Sequence, residues 1–166
     1  MNIQKHFWEL FSTISADAHC DIPCGIYDPT PAKIAAKTIA RMVEQINELK
    51  PPEGFPATFD AGAMKAFANT MARMIAVKEQ HAEICKRELL TLWSDFFKPE
   101  HIQQLPELHN MVWGAAKLCS RNKQEINADA ARELVAAVDA IAKIFYDVRK
   151  APERYEAYRT ITDKIY

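Results

Sequence analysis

Between Thr58 and Phe97 apolar residues recur at three- and four-residue intervals with no proline to interrupt them. Met64, Phe67, Met71, Met74, His81, Cys85, Leu89, Leu92 and Phe96 fall on one continuous helical stripe, which Lys98-Pro99 ends. Such a helix buries its stripe only against other helices, and the flanking sequence supplies them. Ile34, Thr38, Met42, Val43, Ile46 and Leu49 predict a first helix from about Pro31 to Leu49, with Pro31 at its start and Pro51-Pro52-Glu53-Gly54 beyond its end. Leu108, Val112, Ala115, Ala116 and Cys119 predict a third helical stretch to about Arg121, with Pro106 tolerated in its first turn and a polar turn from Asn122 to Asn127 behind it. Leu134, Val138, Ile141, Phe145 and Val148 keep a nearly heptad spacing from Ala128 to Lys150, behind Asn127 as N-cap. Beyond Pro152, the spacing of Tyr155, Tyr158, Ile161 and Ile165 predicts a short amphipathic helix lying on the bundle or on a neighbouring subunit. With no strand alternation and 49% hydrophobic residues to fill a core, the expected fold is all-α: an antiparallel four-helix bundle with a short C-terminal helical extension.

The segment ahead of the first helix carries chemistry rather than packing. His19-Cys20-Asp21-Ile22-Pro23-Cys24-Gly25-Ile26-Tyr27-Asp28-Pro29 gathers a histidine, two thiols and a chain-reversing Pro/Gly pair into a metal-binding hook. The preceding Ala16-Asp17-Ala18 is a small-residue sequence after which a peptidase could cut, leaving His19 as a new N-terminus. Its amine and the Cys20 backbone nitrogen would close one five-membered chelate ring, and the Cys20 nitrogen and thiolate a second. Cys24 would supply the fourth in-plane donor, and the imidazole would remain for an axial position. Two nitrogens and two thiolates in a plane suit a d8 ion such as nickel(II), whereas zinc prefers a tetrahedron and hard cations prefer oxygen. Thiolates and a deprotonated amide also make nickel(III) accessible, so the donor set points to one-electron redox chemistry.

Residues 19 to 29 resemble the N-terminal hook of nickel-containing superoxide dismutases, whose pattern His-Cys-x-x-Pro-Cys-Gly-x-Tyr is present in full. Weaker similarity continues through Lys78-Glu79-Gln80-His81-Ala82-Glu83, Leu92-Trp93-Ser94-Asp95-Phe96-Phe97-Lys98 and Leu105-Pro106-Glu107-Leu108-His109. The resemblance implies a propeptide over residues 1–18, a hook over 19–30, a helical bundle over 31–150 with an extension over 151–166, and a homohexamer with one nickel ion per subunit. It implies disproportionation of superoxide to O2 and H2O2 by Ni(II)/Ni(III) cycling, with His19, Cys20 and Cys24 as ligands. By the same resemblance Tyr27 lies over the open metal face, limiting access and organising solvent, Asp21 lines the loop, and the Ile22–Pro23 bond is cis. Asp28 is expected to cap the first helix through its carboxylate.

Three positions depart from the family pattern. A glutamate on the first helix and an arginine on the second buttress the axial imidazole in the family, and here those positions are Ala35 and His81. Groups behind a ligand imidazole set its orientation and basicity, so His81 is a candidate substitute partner for His19. Phe96 stands where the family often has tyrosine, which removes a phenol near the site.

The remaining features narrow the class. The net charge is −1, and deleting residues 1–18, which contain Lys5, Glu9 and Asp17, leaves it at zero, so no electrostatic case for nucleic acid exists. No segment approaches the ~20 apolar residues of a membrane span. Residues 1–18 have only a short apolar stretch interrupted by Glu9, which favours an amphipathic propeptide removed in the cytoplasm by a processing peptidase over a secretory signal. Cys85 and Cys119 fall in apolar helical patterns and read as small core residues. Glu79, Glu83, Lys86, Arg87 and Glu88 read as paired charges on a solvated face. The alternatives are a nickel carrier or sensor that uses the same hook without turnover, a thiol switch joining Cys20 to Cys24, and a purely structural bundle.

Overall fold

The structure, a computed structural model, describes residues 25–165. Six α-helices follow in order among these residues: α1 (Thr30–Glu48), α2 (Ala61–Thr91), α3 (Pro99–Gln104), α4 (Leu108–Gln124), α5 (Ala128–Val148) and α6 (Pro152–Thr162). A π-helical turn, Leu92–Phe96, continues α2. The long helices close a ring, α1 against α2, α2 against α4, α4 against α5 and α5 against α1. That is the expected helical bundle, and α6 lies across α5 and α1 as its extension.

Local chemistry sets the helix ends. Asp60 and Asn127 accept the backbone N–H groups of Ala63 (2.7 Å) and Ala130 (3.0 Å), capping α2 and α5. The Asp60 cap starts α2 three residues later than the apolar spacing suggests. Pro99 and Pro152 occupy first-turn positions of α3 and α6, where a missing N–H costs nothing. The short helix α3 was not expected, and α4 begins at Leu108, two residues past the Pro106 that the sequence placed in its first turn.

The core is built from Ile39, Val43, Leu89, Leu92, Leu108, Val112, Leu134, Val138, Ile141 and Phe145, together with Cys85 and Cys119, as expected for the two thiols. The hydrogen bond with Cys119, reinforced by burial, pushes the Cys85 thiol far above its ordinary range, so it stays protonated and inert. The inward face of α1 differs from the expected stripe. Ile34 is 43% exposed, and the face turned inward is Ala32, Lys33, Ala35, Ala36, Ile39, Val43 and Ile46. Alanines let neighbouring helices approach closely, and Lys33 is admitted because Asp139 on α5 takes its ammonium.

A second buried lysine closes the far end of the bundle. Lys78 Nζ on α2 donates to the carbonyls of Asn122, Lys123 (2.9 Å) and Glu125 (3.1 Å), which are orphan acceptors at the end of α4. Asn122, expected in a polar turn, is instead fully buried, and its amide donates to Leu118 and Ala130, tying α4 to α5.

Candidate functional site

The described chain begins at Gly25, the residue after Cys24. Its φ of 67° lies in the left-handed region, and a Cβ there would meet nothing within 4 Å. Glycine is therefore required for the turn and not for space. His19, Cys20, Asp21, Cys24 and the Ile22–Pro23 bond lie outside the described residues. Among the described residues no three His, Cys, Asp or Glu side chains form a group that could hold a metal ion. The donor set expected of the hook, an amine, an amide nitrogen and two thiolates, is one that suits nickel.

Two residues past the turn, Tyr27 sets its ring against Phe96, with centroids 5.8 Å apart and planes at 55°. Phe96 reaches that place because the π-helical turn admits an extra residue, closed by the Phe97 N–H donating to the Leu92 carbonyl at 3.0 Å. The inserted residue turns the helix face, so that Phe96 packs on Phe145 (4.4 Å) while Phe97 is itself buried. Position 96, without a phenol, thus joins an aromatic cluster with Tyr27, Phe97, His101 and Phe145.

An open cleft of about 400 Å³ lies beside this cluster. Gly25, Tyr27 and Phe96 form one side, and Lys98, His101 and Arg149 bring basic groups to it, with Asp95 as an acidic one. Arg149 is held over the faces of Phe145 (5.6 Å) and Phe96 (6.0 Å), a cation on the negative face of each ring. His101 Nδ1 accepts the Lys98 N–H at 3.0 Å, so Nε2 carries the ring hydrogen of its neutral form.

Asp28 anchors the chain behind the cleft. Its Oδ1 accepts the Thr30 N–H at 2.8 Å and the Thr30 hydroxyl, so the carboxylate meets the first N–H of α1 from one residue ahead of the N-cap position, which is Pro29 and not Asp28 as expected. Its Oδ2 accepts the Tyr146 phenol at 3.0 Å and lies 3.7 Å from the Arg154 guanidinium.

Of the positions that depart from the family pattern, Ala35 is buried in α1 and offers no polar atom. His81 is half-buried on α2, and its Nδ1 lies 2.9 Å from the Val77 carbonyl. A carbonyl only accepts, so Nδ1 carries the hydrogen and Nε2 keeps the lone pair. Sequence reasoning did not find Arg149, Tyr146 or Arg154. Tyr146 carried a faint signal, a phenol beside the heptad residue Phe145.

Residues 14–149 match the sequence profile of the family described as nickel-containing superoxide dismutase. The chain belongs to that family. The superoxide dismutase [Ni] of Streptomyces seoulensis is 33% identical over 138 residues, covering 83% of this chain and 93% of that one. The superoxide dismutase [Ni] of Streptomyces coelicolor is 32% identical over 138 residues, with the same coverage. Among solved structures, a native nickel superoxide dismutase aligns with a TM-score of 0.65 at 32% identity, over 80% of this chain and 100% of that one. One with Ni-ligation corresponding to the oxidized state aligns with a TM-score of 0.65 at 35% identity, over the same shares. The family match stops before α6, so this helix lies outside the span matched to nickel superoxide dismutases.

Proposed function

We propose that this protein is a superoxide dismutase whose nickel is held by the N-terminal hook, with the His19 amine and imidazole, the Cys20 nitrogen and thiolate and the Cys24 thiolate as donors. The observation that carries the reading is that the family match spans residues 14–149, and so includes the whole pattern from His19 to Tyr27. Nickel bound there supplies the one-electron cycling by which superoxide becomes O2 and H2O2.

The chain's own residues do the rest. Lys98 and Arg149 draw an anionic substrate toward the cleft, and the ring faces of Phe96 and Phe145 hold Arg149 at it. Tyr27 braces the hook side of the cleft through Phe96, where its phenol limits access and orders the water that delivers protons to the product. Asp21 lines the same loop, and Gly25 lets the chain turn directly behind Cys24.

In this reading residues 1–18 are a propeptide, residues 19–30 the hook, 31–150 the bundle and 151–166 an extension. Cleavage after Ala18 by a processing peptidase frees the His19 amine, and the mature enzyme is a cytoplasmic homohexamer with one nickel per subunit. No helix among the described residues is long and apolar enough to cross a membrane.

One observation favours a second reading, a nickel carrier or sensor without turnover. Ala35 offers no hydrogen bond and His81 Nδ1 is committed to Val77, which leaves Nε2 of His81 as the one ring atom these two positions offer in place of the usual donor and acceptor pair behind an imidazole ligand.

The reading is tested with Cys20→Ser and Cys24→Ser in the chain beginning at His19. Each should lose both nickel and dismutation while keeping its helical content, since the thiols lie ahead of the bundle. Full nickel retention in both variants would place the metal elsewhere and sink the proposal.

A further inference from the structure

The segment 151–165 lies beyond the residues matched to the family, yet its polar contacts converge on the first residues after the hook. Arg154 stands 3.7 Å from Asp28. Tyr158 donates to Asp139 Oδ1 at 3.0 Å, and the other oxygen of Asp139 takes the buried Lys33 ammonium. Asp163 stands 3.9 Å from the same ammonium. Lys37, one turn along, donates to the carbonyls of Asp163 (3.2 Å) and Ile165 (2.9 Å). Helix α6 and the residues just after it therefore hold both the residue where the hook joins the bundle and the first two turns of the helix that follows.

Asp28 is gripped on both oxygens. Thr30 occupies Oδ1 from within α1, and Tyr146 and Arg154 address Oδ2 from α5 and α6. Of the residues before Asp28, Gly25 is exposed with a left-handed φ and Ile26 is 75% exposed, while Tyr27 rests on Phe96. The direction in which the chain leaves the bundle toward Cys24 is thus set at Asp28 and at the Tyr27–Phe96 contact.

We propose that α6 is a positioning element for the root of the hook, acting through Arg154 and Tyr146 on the Asp28 carboxylate. The consequence for nickel rests on the proposed function above; the grip on the root does not. Arg154 and Tyr146 are positioning residues, since they act on the ligand-bearing segment through Asp28.

The test is backbone amide hydrogen exchange across Gly25–Thr30 in the full chain, comparing wild type, Tyr146→Phe, Arg154→Gln and Arg154→Lys. Losing the phenol's hydrogen bond to a charged acceptor predicts exchange about ten-fold faster at the root in Tyr146→Phe, and losing the more exposed ion pair about two- to three-fold faster in Arg154→Gln, with α2 and α5 unchanged and Arg154→Lys close to wild type. In the chain beginning at His19, Tyr146→Phe should release nickel to a competing chelator about ten-fold faster and Arg154→Gln about two- to three-fold faster. Equal root exchange in all four proteins overturns the proposal whatever nickel does. Faster root exchange with unaltered nickel release confines the grip to the fold and overturns its link to the hook. A wild-type chain that holds no nickel overturns the proposed metal site instead, and the exchange result alone then decides whether α6 positions the root.

Discussion

Tyr146 donates its phenol hydrogen to Asp28 at 3.0 Å across 118 positions of sequence, joining the last turn of α5 to the residue that follows Tyr27. Tyr146 is 2% exposed, and burial, the negative charge of Asp28 and the hydrogen bond to it together push the phenol up to about 12. The pair therefore holds only while the phenol keeps its proton, which makes the hook end of the bundle sensitive to alkali.

The sign follows from linkage. The phenol's ordinary value is 10.0 and its folded value about 12, so its contribution is complete below pH 10 and is lost as pH rises through 12. Thermal unfolding between those limits should show the midpoint of the wild type falling more steeply than that of Tyr146→Phe. Tyr158, raised mainly by burial with Asp139 beside it, adds to the slope in both proteins. Parallel pH profiles would show that the Tyr146 phenol carries no linked stability.

Removing the Tyr27 phenol separates gating from acid catalysis. Tyr27→Phe keeps the ring against Phe96. An obligatory general acid contributes roughly 10²–10⁴-fold, whereas a group that orders solvent contributes less, so dismutation should fall by under about ten-fold. Pulse-radiolysis rates decide the matter, and a fall beyond a hundred-fold would make the phenol an essential proton donor.

The basic residues of the cleft should act on encounter. In Arg149→Glu and Lys98→Glu the second-order rate with superoxide should drop about ten-fold at low ionic strength, and its decline with added salt should flatten. Nickel content should not change. A salt dependence identical to wild type would remove the cleft from the substrate's path.

Lys78 tests the far end of the bundle. Lys78→Met leaves the carbonyls of Asn122, Lys123 and Glu125 without their shared donor, at a cost of about 3 kcal/mol. Urea unfolding should report it as a lower midpoint at unchanged slope. A shift below about 0.5 kcal/mol would mean that water replaces the ammonium without loss.

The helices could be read from the sequence because their stripes repeat within each segment, and the proposed hook stands out there because its candidate donors are neighbours along the chain. The Asn127 cap and the core placement of Cys85 and Cys119 follow from equally local patterns. What sequence did not reveal depends on distant partners. Lys33 goes inward only because Asp139, 106 positions away, receives it, and this turns α1 so that Ile34 faces outward. Phe96 meets Tyr27 through a π-helical turn that apolar spacing does not encode, and Arg149 takes its place from the ring stack that results.

The most direct test of the account measures nickel and superoxide dismutation in the chain beginning at His19, beside the uncleaved chain. The account predicts about one nickel per chain and dismutation in the first, with neither in the second, because Ala18 occupies the His19 nitrogen until cleavage. Equal nickel and equal activity in both proteins would contradict it.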